Sequence, residues 1–227
     1  MDNHSEIVVV LTARQYLYKL FYGLFGDEPS EQLLSVAAED FTRDALELFI
    51  GEEPAPLGIE SFLCEAAQCK ESWGEMESKL KSLYTKLFIG PGRLPVDPWE
   101  SVFLGAEPIL FQKVTLEVRK AYLGQGFLPA EYPKVADDNL AIELDFMANL
   151  AKRAVDAFAT NDMEMLIKTI DASSAFLEEH LLKWVGAYSS KMAQTGAVLY
   201  PAAARACSEF LKADLQALNE IAETIPR

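Results

Sequence analysis

Cysteine, histidine and basic residues are scarce in this chain of 227 residues. Three cysteines, Cys64, Cys69 and Cys207, are too few for a disulfide framework and fit a reducing compartment. The spacing from Cys64 to Cys69 is wrong for a zinc knuckle, and the two histidines, His4 and His180, lie far from it in sequence. No metal centre is therefore expected. Lys and Arg number 20 against 35 Asp and Glu, a net charge of −15. Such a surface repels nucleic acid and anionic membrane, so neither is expected as a partner, whereas a basic partner is permitted. No window approaches the ~20 apolar residues of a membrane span, and stable membrane insertion is not expected. The acidic start Met1-Asp2-Asn3-His4-Ser5-Glu6 and the short apolar run Ile7 to Leu11 do not make an export signal, so a cytoplasmic location is expected.

Catalytic patterns are absent too. Gly90-Pro91-Gly92 lacks the Lys-Ser/Thr of a phosphate loop and does not lie between a strand and a helix. Nothing brings a cysteine to a histidine as a nucleophilic dyad. Glu143 and Asp145, two apart, point in different directions on a helix. The chain is read as a non-enzyme with no catalytic residue and no cofactor.

What is present is helical period. Half the residues are hydrophobic, enough for a core. Tyr16, Leu20, Gly23 and Leu24 share one face of a first helix stopped by Gly26 and Pro29. Ser30 is placed to cap a short second helix. Phe41 to Phe49 and Ile59 to Cys69 read as further helices, separated by a loop at Gly51, Pro54, Pro56 and Gly58. Another runs from Glu75 to Phe88. The proline-rich stretch Ile89 to Val102 cannot be a helix interior. Pro108 suits a helix start, followed by Phe111, Val114, Val118, Ala121 and Tyr122. Gly124, Gly126, Pro129 and Pro133 form a second irregular stretch. A helix with Leu140, Leu144, Met147 and Ala151 inward follows. Met163, Leu166 and Ile170 begin another, with a break expected near Asp171 to Ser174 before Leu177, Leu181 and Trp184. Pro201 opens the last helix, with Cys207, Leu211, Leu215, Leu218 and Ala222 inward. No run alternates with period 2. The fold expected is an all-α bundle of roughly nine or ten helices.

The two irregular stretches carry the distinctive residues. Trp99, between Pro98 and Glu100, either anchors a partner or plugs the core. Asp137, Asp138 and Asn139 at a helix start either cap it or form a polar patch that meets a cation. His180 reads as a packed, hydrogen-bonded core histidine, and Glu178-Glu179 as a solvated face.

At these stretches the sequence resembles the TorD/DmsD family of cytoplasmic chaperones, the redox enzyme maturation proteins. The first motif stands as Tyr84 to Gly92 and then Asp97-Pro98-Trp99-Glu100-Ser101-Val102-Phe103. The second stands as Asp137-Asp138-Asn139 followed by Glu143-Leu144-Asp145-Phe146-Met147. Phe176 to Trp184, Tyr200 and the long final helix are similar to the family as well. The resemblance implies a TorD-like fold with a larger N-terminal part, residues 1–135, and a C-terminal part, residues 136–227, joined in one integrated fold. It implies a chaperone that binds the twin-arginine signal peptide and the apo form of a molybdopterin oxidoreductase of the dimethyl sulfoxide reductase type. Such a chaperone assists cofactor insertion and delays export, as a monomer or a homodimer. Trp99, Ser101, Asp138, Asn139 and Glu143 are carried over as site residues. Two arginines followed by an apolar helix-prone segment call for carboxylates and an apolar groove. Asp138, Glu143 and Glu100 are the carboxylate candidates; Trp99, Phe88 and Phe103 are the groove candidates. Where the family usually has His, this chain has Asn139, which hydrogen-bonds but does not become cationic near neutral pH. The alternatives are a guanine nucleotide- or molybdopterin-binding insertion factor, and an assembly chaperone of the nitrate reductase type.

Overall fold

The computed structural model describes residues 3–50, 57–105, 112–130 and 134–225. The loop expected at Gly51, Pro54 and Pro56, the helix start at Pro108 and Phe111, and Pro133 lie outside the described residues.

The described residues form an all-α bundle: α1 Asn3–Gly26, α2 Glu31–Ala37, α3 Asp40–Ile50, α4 Leu57–Glu71, α5 Trp73–Tyr84, α6 Glu100–Leu104, α7 Lys113–Gly124, α8 Leu140–Ala159, α9 Met163–Phe176, α10 Leu182–Met192 and α11 Leu199–Thr224. A π turn at Leu177–Leu181 fuses α9 to α10, so these make ten continuous helices.

α1 lies along α8, and α11 packs against α3, α4, α9 and α10, so both halves of the chain contribute to one core. In α1, Leu11, Leu17, Phe21 and Leu24 face inward at helical spacing. In α8 the opposing surface is alanine-rich: Ala148, Ala151, Ala154 and Ala157 are all buried. Small side chains there let the two longest contact surfaces approach closely. At the end of α1 a methyl on Gly26 would meet the Cβ of Ala141 at 3.1 Å, so glycine lets α1 close onto the first turn of α8. That crossing brings the chain to the second motif.

Several boundaries differ from the sequence expectation for physical reasons. α1 begins at Asn3, because Ile7 and Leu11, one helical turn apart, are its first core-facing residues. Gly58 lies inside the first turn of α4. The irregular stretch ends early, since Glu100–Leu104 is helical. No break occurs at Asp171 to Ser174; the register shift comes at the π turn, whose extra residue turns Leu177, His180 and Leu181 inward together. α11 starts at Leu199, with Pro201 in its first turn, and Leu215 and Ala222 are only half-buried. Ser30 caps α2 as expected, its hydroxyl accepting from the Leu33 amide.

Candidate functional site

The two motifs meet. Residues 98–101 and 138–140 run antiparallel for one rung: the Glu100 amide donates to the Asp138 carbonyl at 2.9 Å, and the Leu140 amide donates to the Pro98 carbonyl at 2.9 Å. Each motif thereby fixes the other.

Capping sharpens the arrangement. Asn139, not either aspartate, is the N-cap of α8, with its Oδ1 accepting from the Ala141 amide at 3.0 Å. Asp138 reaches across instead, and its Oδ2 accepts from the Ser101 amide at 2.8 Å in the first turn of α6. A carboxylate at a helix N-terminus suits both the free amides and the dipole. Asp137 is held by Arg119, whose Nε and NH2 reach one carboxylate oxygen at 2.6 and 2.5 Å, while Tyr122 OH donates to the Asp137 carbonyl.

Behind this rung lies a buried acidic node. Glu100, Asp138 and Glu143 are at most 1% exposed. His180 Nδ1 stands 3.0 Å from Glu100 Oε2. Trp184 Nε1 donates to Glu143 Oε2 at 3.2 Å. Glu143 Oε1 finds no hydrogen-bond partner among the described residues. Burial, followed by the nearby Glu100 and Asp138 charges, pushes Glu143 well above the usual carboxylate range. Burial also raises Glu100, while the His180 bond opposes the shift. Burial raises Tyr122 well above its ordinary value, with Glu143 and Asp137 adding to it.

Three polar atoms at the rung find no hydrogen-bond partner among the described residues: Trp99 Nε1, Ser101 Oγ and Asp138 Oδ1. They are a donor, a hydroxyl and an acceptor, contributed by one short segment and its capping residue. Unpaired buried polar groups cost roughly 1–3 kcal/mol each, so their concentration here is a feature to explain.

The aromatic candidates divide. Phe103 is half-buried and its ring packs tilted against Trp184 at 5.3 Å. Trp99 is half-buried with its indole nitrogen inside. Phe88 belongs to another cluster, with Tyr84 at 5.0 Å and Tyr200 at 5.1 Å; Phe25 links it to Tyr188, the neighbour of Phe103. The structure therefore brings Trp99, Glu100, Ser101, Phe103, Asp138, Asn139 and Glu143 together and sets Phe88 to one side. The sequence reading placed His180 in the core but gave no partner for it or for Trp184, because their link to Glu100 and Glu143 is set by tertiary contact across residues far apart in the chain.

A surface groove of about 500 Å³ flanks the Gly90-Pro91 turn, lined by Lys86 and Arg93 with Ser82 and Thr85. Its cations make it a poor seat for a basic peptide. Among the described residues no cluster of His, Cys, Asp and Glu has metal-binding geometry, and no helix is long and apolar enough to cross a membrane.

The comparisons with known proteins bear on the same residues. The family described as "Nitrate reductase delta subunit" matches residues 52–189, which span both motifs. "Chaperone protein TorD" of Vibrio cholerae is 27% identical over 218 residues, covering 96% of this chain and 97% of that protein. "Chaperone protein TorD" of a Psychrobacter species is 26% identical, covering 98% and 99%. "Tat proofreading chaperone DmsD" of Salmonella typhi is 40% identical over 65 residues, 29% of this chain.

Proposed function

The chain belongs to the nitrate reductase delta subunit family, the family of the TorD and DmsD chaperones, and on that premise we propose that it is a cytoplasmic chaperone of molybdoenzyme maturation. It binds the twin-arginine signal peptide and the apo form of a molybdopterin oxidoreductase of the dimethyl sulfoxide reductase type. The likeness to TorD runs through almost the full length of both chains, which favours this client class over a nitrate reductase-type one.

The observation that carries the reading is the concentration of three buried carboxyls and three unpartnered polar atoms at the rung between the motifs. An arriving guanidinium gives Asp138 Oδ1 its missing donor. Peptide carbonyls serve Trp99 Nε1 and Ser101 Oγ. Guanidinium–carboxylate hydrogen bonds of this desolvated kind are worth roughly 1.5–3 kcal/mol each. Trp99 receives the apolar segment, and half-buried Phe88, in the neighbouring aromatic cluster, is a more distant apolar contact. Asn139 contributes by fixing α8 and hence the rung. None of these roles breaks or forms a covalent bond, in keeping with a chaperone.

Calorimetric titration with a synthetic twin-arginine signal peptide tests the reading. The expected result is micromolar or tighter binding, weakened by at least ~1 kcal/mol in Trp99→Ala. A protein that binds neither the peptide nor the apoenzyme overturns it.

A further inference from the structure

One position at the motif face already holds a cation. Phe103 lies in α6, and its half-buried ring is backed by Trp184 at 5.3 Å and Tyr188 at 6.2 Å. The Nζ of Lys191 stands 4.3 Å from the ring centroid. Lys191 is exposed in the last turn of α10 and makes no ion pair among the described residues, although the chain has 35 acidic residues. The ring face holds the ammonium there, a modest attraction at an exposed site.

We propose that the face of Phe103 is an arginine subsite and that Lys191 is its built-in competitor. This rests on the signal-peptide reading above and adds to it the position of one arginine and a residue that sets the affinity. A guanidinium is planar and more weakly hydrated than an ammonium, so it stacks on an aromatic face at lower desolvation cost. Lys191 sits on a flexible stem at a helix end, so it swings aside without disturbing α10. The same ring is packed against Trp184, which binds Glu143, so an arginine on Phe103 lies beside the acidic node. Lys191 then raises the threshold a cationic segment must exceed, which keeps weak basic peptides off an acidic protein.

The test is calorimetry on the full-length protein with a twin-arginine signal peptide and its twin-lysine version. Lys191→Ala tightens the twin-arginine peptide roughly two- to fivefold, the 0.5–1 kcal/mol of an exposed cation–π contact at 1.4 kcal/mol per decade. Phe103→Leu weakens binding, narrows the arginine-over-lysine preference and abolishes the gain from Lys191→Ala, whereas Phe103→Tyr keeps all three. Lys183→Ala, which removes a charge elsewhere on α10, gives less than half the gain of Lys191→Ala. An unchanged affinity in Lys191→Ala, an equal gain in the Phe103→Leu background, or an equal gain from Lys183→Ala overturns the subsite while leaving peptide binding intact. Failure of wild type and every variant to bind either peptide overturns the signal-peptide reading itself, and the subsite with it.

Discussion

Where α1 crosses α11, one buried cation meets one buried anion; where α6 meets α8, three buried carboxyls meet one histidine. At the first place Arg14 pairs with Asp214 through Nε and through NH2 at 3.1 Å, and Tyr18 OH donates to the same carboxylate at 2.6 Å. Burial works against the Arg14 charge, but Asp214 outweighs it and holds the guanidinium cationic. The charges cancel, and only Arg14 NH1 lacks a partner. At the second place Glu100, Asp138 and Glu143 share one histidine, a helix N-terminus and an indole. Negative charge in excess of its partners survives burial there only as protonation or hydrogen bonding. The balanced pair is a joint of the scaffold. Under the proposed function, the unbalanced node is a receptor that an incoming cation completes.

The largest expected effect separates the two. Arg14→Leu leaves Asp214 buried without its cation and costs about 3–5 kcal/mol in urea unfolding, while Arg14→Met with Asp214→Leu recovers most of that. Peptide affinity per folded molecule stays unchanged; a parallel loss of affinity collapses the distinction. Next, Asp138→Ala removes the acceptor for the Ser101 amide and costs about 1–2 kcal/mol of stability together with at least ~1 kcal/mol of peptide binding. Asp138→Asn keeps an acceptor and restores most of the stability but not the binding. If stability and binding return together in Asp138→Asn, the node is scaffold as well. Smaller still, Asn139→Ala removes the N-cap of α8 and lowers stability by ~1 kcal/mol, whereas Asn139→Asp changes it by a few tenths, read from denaturant midpoints.

The same contrast governs what the sequence made legible. The helices were readable because Leu140, Leu144, Met147 and Ala151, or Cys207, Leu211 and Leu218, recur at the helical period and are buried where that period requires. The motif residues were readable because Trp99 and Asp138-Asn139 interrupt that period with proline and capping chemistry. Partnerships across the chain were not. Asp138 looked like a cap for the helix that follows it, yet it caps α6, because the rung to Glu100 turns it away from α8. Arg14 and Asp214, 200 residues apart, carry no local signature at all. The π turn escaped notice because one extra residue preserves the apolar character of Leu177, Leu181 and Trp184 while shifting their register.

The subtlest prediction concerns the proton in the node. Burial raises Glu143 well above its ordinary value of 4.5, so the native state keeps its proton to higher pH than the unfolded chain does. Stability from this group is fully present below pH 4.5 and falls as pH rises toward its raised native value. Glu143→Gln keeps the side chain's size and carries nothing to titrate. The difference in stability between wild type and Glu143→Gln, from urea unfolding at a series of pH values, is therefore level below about pH 4.5 and turns steadily against wild type above it. At neutral pH the variant is at least as stable as wild type, although it alters a fully buried residue. A cation entering the node stabilises the ionised carboxyl and expels the proton, so peptide binding near pH 7 releases protons in wild type and fewer in Glu143→Gln. Calorimetry in buffers of different ionisation enthalpy reads that release. A flat difference curve, or equal proton release from both proteins, means that Glu143 is ionised in the fold and that the node is balanced after all, like the Arg14–Asp214 pair.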